Sequence, residues 1–330
     1  MMNPETDLKN RIKSGVAVDL ALIEQALERN LNPYYDLVRD IAGHVLFSGG
    51  KRLRPLLMVL SARLCGYSGD DDKNISVLFE YLHAATLIHD DLVDEAAMRR
   101  GRESAHLRYG NAQAVLTGDF LLARSLSLAA RTGIPKVIEV IAKITEDMSQ
   151  GEIQQMANKG RMDLSEAEYM DVIERKTAVL IRGACRTGAL IAGVDEAKDR
   201  AMTDYGYHLG MAFQMADDLL DYTADTQALG KEIGADLREG KLTLPIIYAL
   251  GRAAADDTAF LQSMMGKQDV TRAEFIRFTE TVDRLGGLDY TQNRAQASVD
   301  AAKQALMIFG PGETRDLLFL LADYAMVRQS

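Results

Sequence analysis

An all-α fold is what this sequence of 330 residues predicts. Apolar residues recur at helical spacing along most of the chain, and the alternation a half-buried strand needs is sparse. Good helix formers (Ala, Leu, Glu, Arg) are abundant, and only 6 prolines interrupt them. No internal repeat, low-complexity tract or linker divides the chain, so residues 1–330 read as a single all-helical domain. A hydrophobic content of 47% is ample for its core.

Charge and cysteine usage narrow the function classes. A net charge of −10 makes nucleic acid a poor partner despite local basic clusters. Cys65 and Cys185 have neither disulfide-framework nor metal-site spacing, and read as buried free thiols in a reducing compartment. The N-terminal stretch MMNPETDLKNRIKSG lacks the apolar core of a signal peptide, and no run of about 18 apolar residues follows. The expectation is a soluble cytoplasmic protein without a transmembrane segment.

Residues 16–31 carry apolar positions at helical spacing, suited to a packing or oligomer face, and Asn32-Pro33 breaks that helix. A second helix is expected from Tyr34 to Leu46, stopping at Gly49-Gly50. Lys51, Arg52 and Arg54 then enter the apolar helix Leu56–Leu64. Cations and free backbone N–H groups at a helix N-terminus favour a phosphate group, although a solvated basic turn reads the same way. Gly66–Lys73 is a polar loop whose adjacent aspartates suit loop and N-cap positions, and a helix runs from Ile75 to Asp94. Further helices are expected over residues 112–131 and from Pro135 to about Asn158. Ser165 and Glu168 form a capping box that opens a helix carrying Lys176-Thr177. A lysine in that apolar setting is costly to bury unpaired, and a phosphate partner would account for it. Gly230–Pro245 is the one long loop with strong turn chemistry; its Lys231 and Lys241 suit a mobile lid that brings cations to a phosphate. Residues 246–330 are helical in pattern and carry no chemical constellation.

Two acid clusters dominate the chemistry. Asp90 and Asp94 share a helix face, with Asp91 about 100° round, and the spacing recurs at Asp217, Asp218 and Asp221. Each cluster follows an apolar run. One such motif reads equally well as a solvated helix end; its recurrence in the same setting points to a site. Six carboxylates can hold several Mg²⁺ ions that keep waters and share phosphate oxygens. The two helices are expected to face each other across a bundle, as in other helical metal sites.

The chain resembles the trans-type isoprenyl diphosphate synthases, and the long-chain branch most closely. The resemblance rests on GGKRLRP at Gly49–Pro55, EYLHAATLIHDDLVD at Glu80–Asp94, MRRG at Met98–Gly101 and GDF at Gly118–Phe120. It continues through Lys176-Thr177, FQMADDLLD at Phe213–Asp221 and GKEIGADLREGKLTLP at Gly230–Pro245. It implies a helical bundle around a product-elongation cavity and a homodimer. It also implies successive head-to-tail condensation of isopentenyl diphosphate onto an allylic diphosphate such as farnesyl or geranyl diphosphate. Lys51, Arg54, His83 and Arg100 would bind isopentenyl diphosphate. Arg99, Lys176, Lys231 and Lys241 would serve the allylic diphosphate and its loop, with Thr177 and Gln214 beside the developing carbocation. Asp90, Asp94 and Asp217 would bridge three Mg²⁺ ions, with Asp91, Asp218 and Asp221 binding directly or through water. The departing diphosphate would take the proton.

Ala85 and Thr86 lie about one helical turn before Asp90, where short-chain members of the family carry aromatic side chains. Small residues there imply a long product such as octaprenyl diphosphate, destined for a membrane quinone. Leu82, Phe79, Val137 and Ile141 are the expected channel floor. A shorter-chain synthase, a terpene cyclase and a non-catalytic prenyl-diphosphate-binding subunit stay open as alternatives. The second phosphate site argues against the cyclase, and the complete set of six aspartates argues against the silent subunit.

Overall fold

The computed structural model describes residues 4–223 and 234–327, and they are almost wholly helical. The order is α1 Pro4–Leu31, α2 Asp36–Leu46, α3 Leu53–Leu64, α4 Asp72–Val93, a hairpin β1 Met98–Arg99 and β2 Arg102–Glu103, and α5 Ala105–Tyr109. Then come α6 Asn111–Arg131, α7 Pro135–Asn158, α8 Glu166–Ile173, a π-helical turn Glu174–Ala178, α9 Val179–Ala192 and α10 Glu196–Thr223. The rest comprises α11 Ala235–Arg238, α12 Leu244–Leu250, α13 Ala255–Met264, α14 Arg272–Arg284, α15 Gly287–Ala305 and α16 Glu313–Val327. Several starts differ from the pattern-based expectation. α1 opens at Pro4 because proline suits a first helical position and the polar stretch behind it has helical propensity without an apolar face. α4 opens at Asp72 with no side-chain cap from Asp71. The expected capping box is present: Ser165 Oγ accepts from Glu168 N, and Glu168 Oε2 accepts from Ser165 N at 2.8 Å.

Backbone proximity divides the chain into two compact units, with α7, α9, α10 and α16 contributing residues to both. One is built from the chain up to Ile144, Gly183–Thr203 and Ile308–Leu318; the other from Thr145–Arg182, Asp204–Met307 and the chain from Phe319. In the first unit α4 packs against α1, α3 and α6, and buries Phe79, Tyr81, Leu78 and Ile88. Each such side chain contributes roughly 1.5–3 kcal/mol. Tyr81 keeps its hydroxyl satisfied by donating to Leu27 O at 2.6 Å. The GDF glycine is a packing device: a Cβ at Gly118 would collide with the His89 ring, so its absence lets α6 approach α4. The second unit has its own core, including Tyr169, Ile173, Ala178, Met215, Tyr222 and Phe278.

The chain after α4 turns sharply. Glu95 adopts φ 50°, and Ala96 N donates to Asp91 O at 2.9 Å, a Schellman closure made without glycine. A left-handed non-glycine residue costs roughly 1–2 kcal/mol. Arg100 and Gly101 (φ 50° and 74°) form the two-residue turn of the hairpin, in which Met98 pairs with Glu103 and Arg99 with Arg102. This return places Arg99 against Asp91. Of the two thiols, Cys185 is buried as expected, whereas Cys65 is only half-buried.

Candidate active site

In the first unit the basic residues gather around His83. The Arg54, Arg100, Arg99 and Arg52 guanidinium groups all act on its imidazole. Burial first, then those charges, push it well below the usual histidine range, so the ring is neutral and can donate one N–H. Arg52 is not a substrate group. It is buried, and it donates to Glu24 Oε1 at 2.6 Å, Glu80 Oε1 at 2.8 Å and Leu46 O at 2.7 Å. Burial opposes its charge, but Glu24 and Glu80 outweigh that. Arg52 thereby anchors the turn, at φ 47°. Arg100 Nη1 reaches back to donate to Gly49 O, and a Cβ on Gly50 would meet Arg100 Nη1 and Arg52 Nη1, each at 3.1 Å. A side chain at Gly50 would crowd the two guanidinium groups that lie across the loop. Lys51 is exposed and Arg54 half-buried beside them.

The first acid cluster closes α4. Asp90 is half-buried, Asp94 is exposed at the C-cap, and Asp91 is 1% exposed. Arg99 Nε and Nη2 both lie 2.6 Å from Asp91 Oδ1, while Asp91 Oδ2 is buried without a hydrogen-bond partner. Burial raises the Asp91 pKa in spite of Arg99. Arg99, expected on the allylic diphosphate, is thus held by a carboxylate. His89 lies beside the cluster, its Nε2 3.1 Å from Val115 O and 3.7 Å from Asp119 Oδ1.

The second unit holds the other half of the predicted residues. Lys176 and Thr177 sit in the π-helical turn, and Gly151 and Gly210 make room for it. A Cβ at Gly151 would lie 3.0 Å from Lys176 N, and one at Gly210 would lie 2.5 Å from Ala178 Cα. An i→i+5 turn inside a helix frees and re-aims groups, which is why such turns recur at functional sites. Lys176 Nζ is 2.6 Å from Glu152 Oε2, so its partner here is a carboxylate rather than the expected phosphate. Thr177 Oγ1 donates to Gln214 Oε1 at 2.7 Å, and Gln214 Nε2 donates to Asp218 Oδ1 at 2.8 Å. Tyr169 OH donates to Asp218 Oδ2 at 2.6 Å.

Asp217 is exposed, whereas Asp218 is 2% exposed with both oxygens bonded. Burial, only partly offset by Lys241, raises Asp218 to about 6. Lys241 Nζ lies 3.0 Å from Asp236 Oδ1 and 3.8 Å from Asp218 Oδ1. Burial works against its charge, but the two carboxylates hold it above the usual lysine range. Asp221, expected to bind Mg²⁺ directly or through water, accepts from the N–H groups of Gly234, Ala235 and Asp236 at 3.1–3.2 Å. Lys231 lies outside the described residues. A pocket of about 80 Å³ is lined by Lys176, Thr177, Gln214, Lys241, Tyr169 and Leu242 among others.

Among the described residues no three Asp, Glu, His or Cys side chains converge as a ready-made metal cage. Mg²⁺ does not need one. It binds through one or two carboxylates plus waters and substrate phosphates. The accessible Asp90, Asp94 and Asp217 offer hard oxygen donors of that kind, and the bare Asp91 Oδ2 is a further acceptor. The residues fit the ion. Both oxygens of Asp218 already accept hydrogen bonds, as do both of Asp221.

A family model described as polyprenyl synthetase matches residues 35–282. The chain belongs to the polyprenyl synthetase family. Octaprenyl diphosphate synthase of Escherichia coli (strain K12) is 37% identical over 318 residues, covering 96% of this chain and 98% of that protein. The Haemophilus influenzae octaprenyl diphosphate synthase is 39% identical over 307 residues, 92% of each chain. The crystal structure of a polyprenyl synthase from Caulobacter crescentus CB15, complexed with calcium and isoprenyl diphosphate, superposes with a TM-score of 0.90 at 40% identity, covering 97% and 98% of the two chains. For a polyprenyl synthetase, the sequence reading missed Tyr169, Glu152 and Glu80. Each acts through a partner far away in sequence, and only the tyrosine seven residues before Lys176 carried a signal, being a polar-tipped residue on an apolar helix face.

Proposed function

We propose that this chain is a Mg²⁺-dependent polyprenyl diphosphate synthase, adding isopentenyl diphosphate repeatedly to an allylic diphosphate. The observation that carries the reading is the place of His83, on the helix whose last turn holds Asp90, among Arg54, Arg99 and Arg100. A diphosphate-binding basic cluster directly beside a cation-binding acid cluster is what transfer between two diphosphates requires. Lys51, Arg54, His83 and Arg100 hold isopentenyl diphosphate. Arg99, Lys176 and Lys241, with Lys231, serve the allylic diphosphate; Arg99 and Lys176 exchange Asp91 and Glu152 for phosphate oxygens. Bound Mg²⁺, three ions in this reading, supplies the positive charge that lets the highly charged diphosphate leave.

The C1–O bond of the allylic substrate breaks with its electron pair going to diphosphate. The alkene of isopentenyl diphosphate then attacks C1, and loss of a proton to the departed diphosphate sets the trans double bond. Thr177 and Gln214 face the charge that develops at C1. The buried apolar surroundings keep water from trapping it as an alcohol.

Product length follows from α4. Ala85 and Leu82 are buried and Thr86 is half-buried, with Phe79, Val137 and Ile141 fully buried deeper in the same unit. Small side chains one turn below Asp90 let the product pass, which favours a long chain such as octaprenyl diphosphate for a quinone. A single functional domain, a homodimer and a cytoplasmic location with delivery to a membrane belong to the same proposal. The family match spanning residues of both units supports the first, and no described helix is long and apolar enough to cross a membrane.

Purified protein incubated with labelled isopentenyl diphosphate, farnesyl diphosphate and Mg²⁺ should release products longer than geranylgeranyl diphosphate. Ala85→Tyr should shorten them while leaving the first condensation largely intact. No condensation with any allylic primer would sink the proposal; an unchanged product ladder from Ala85→Tyr would show that the chain grows along another path.

A further inference from the structure

Four side chains of the second unit form a directional hydrogen-bond chain: Tyr169 to Asp218, Gln214 to Asp218, and Thr177 to Gln214. Its direction is dictated by chemistry. Both oxygens of Asp218 accept, one from the Tyr169 O–H and the other from the Gln214 N–H₂. Gln214 has one carbonyl oxygen, and once its N–H₂ faces Asp218 that oxygen must face Thr177. The hydroxyl of Thr177 has one proton, and Gln214 takes it. What remains on Thr177 is lone pairs. Thr177, Gln214, Tyr169 and Lys241 all line the same pocket. Tyr169 and Asp218 are 3% and 2% exposed, so neither is free to turn to solvent.

We propose that Asp218 and Tyr169 are positioning residues that orient Gln214 and Thr177 so that their oxygen lone pairs meet the developing carbocation. The inference rests on the prenyl-transfer reading above. It assigns the middle aspartate of the second cluster a task other than holding metal, and it adds a residue the motifs do not contain. A threonine hydroxyl pointed the wrong way would present its positive end to a cation. In a water-excluded pocket such a dipole cannot be compensated by solvent. Lys241 Nζ, 3.8 Å from Asp218 Oδ1 and 3.0 Å from Asp236 Oδ1, donates to Asp236 and stays outside the chain.

The test compares Asp218→Asn, Tyr169→Phe, Thr177→Ser and Thr177→Val with Asp217→Asn as the metal-ligand control. Mg²⁺-dependent binding of an uncleavable farnesyl thiolodiphosphate is measured by calorimetry, and kcat and KM are measured for the first condensation. Asp218→Asn and Tyr169→Phe should bind the analogue within about twofold of wild type and keep both KM values. Their kcat should fall about 10-fold or more. Thr177→Ser should retain most of the rate and Thr177→Val should lose it, while Asp217→Asn should lose Mg²⁺-dependent binding. Tyr169→Phe preserves the ring packing and keeps the test alive if Asp218→Asn does not fold. Loss of Mg²⁺-dependent binding in Asp218→Asn, equal to that in Asp217→Asn, would make it a ligand and overturn the assignment. Wild-type kcat in both Tyr169→Phe and Thr177→Val would do the same. A wild-type chain that condenses nothing refutes the synthase reading and the relay together, whereas unaffected variants of an active enzyme refute the relay alone.

Discussion

His83 shows how little of a residue's behaviour lies in its own side chain. Its imidazole is driven well below the ordinary histidine range, by burial and then by Arg54, Arg100, Arg99 and Arg52. The unfolded chain carries the same group near 6.5. Below about pH 6.5 the unfolded state therefore binds a proton that the folded state refuses, and stability falls as pH drops toward the depressed native value. Urea unfolding of the substrate-free enzyme at pH 7.5 and 5.5 should show this loss, and His83→Gln should reduce it. An equal loss in the variant would show that other groups carry the pH dependence. The residue scale is also where the sequence was most and least informative. The two aspartate clusters and the basic turn announced themselves because several like charges close together have no structural use. Arg52 stands in the basic turn between two expected phosphate ligands, and only its three acceptors reveal an anchor. Glu152 and Glu80 were silent because each is defined by a distant partner.

At the scale of elements, regular helices were legible and their interruptions were not. α7 spans the expected Pro135–Asn158, and the capping box opens α8 where the Ser165–Glu168 spacing placed it. The π-helical turn at Glu174–Ala178 inserts a wider turn without disturbing the apolar pattern, and the two-residue strands of the hairpin are too short to have a period. Both irregularities carry site residues: Lys176 and Thr177 on one, Arg99 and Arg100 on the other. The π turn depends on glycines from two other helices. A methyl group at Gly210 would press on the Ala178 backbone, where no flexible side chain can yield. Gly210→Ala should destabilise the protein by about 1–3 kcal/mol through overpacking. Thermal and urea unfolding would measure it. A melting curve identical to wild type would mean that the π turn tolerates displacement and is not fixed by this contact.

For the molecule as a whole, each compact unit carries one acid cluster, and the two clusters share a burial pattern. The middle aspartate is buried in both, Asp91 against Arg99 and Asp218 against Tyr169 and Gln214, because it lies about 100° from the face of the first. The leading aspartates, Asp90 and Asp217, are left accessible, and they are the carboxylates expected to take Mg²⁺. Asp90→Ala and Asp217→Ala should each lower kcat by on the order of 10²-fold or more, several kcal/mol of transition-state stabilisation. Melting temperatures should hold or rise, since each change removes one of several repelling carboxylates. The double variant separates cooperation from independence. If one ionisation step draws on both clusters, losing the second after the first costs much less than its single effect, as for other groups that act as a unit. Strict additivity of the two losses in ΔΔG‡ would instead assign the clusters to separate steps, and near-normal turnover of either folded single variant would remove that cluster from the chemistry.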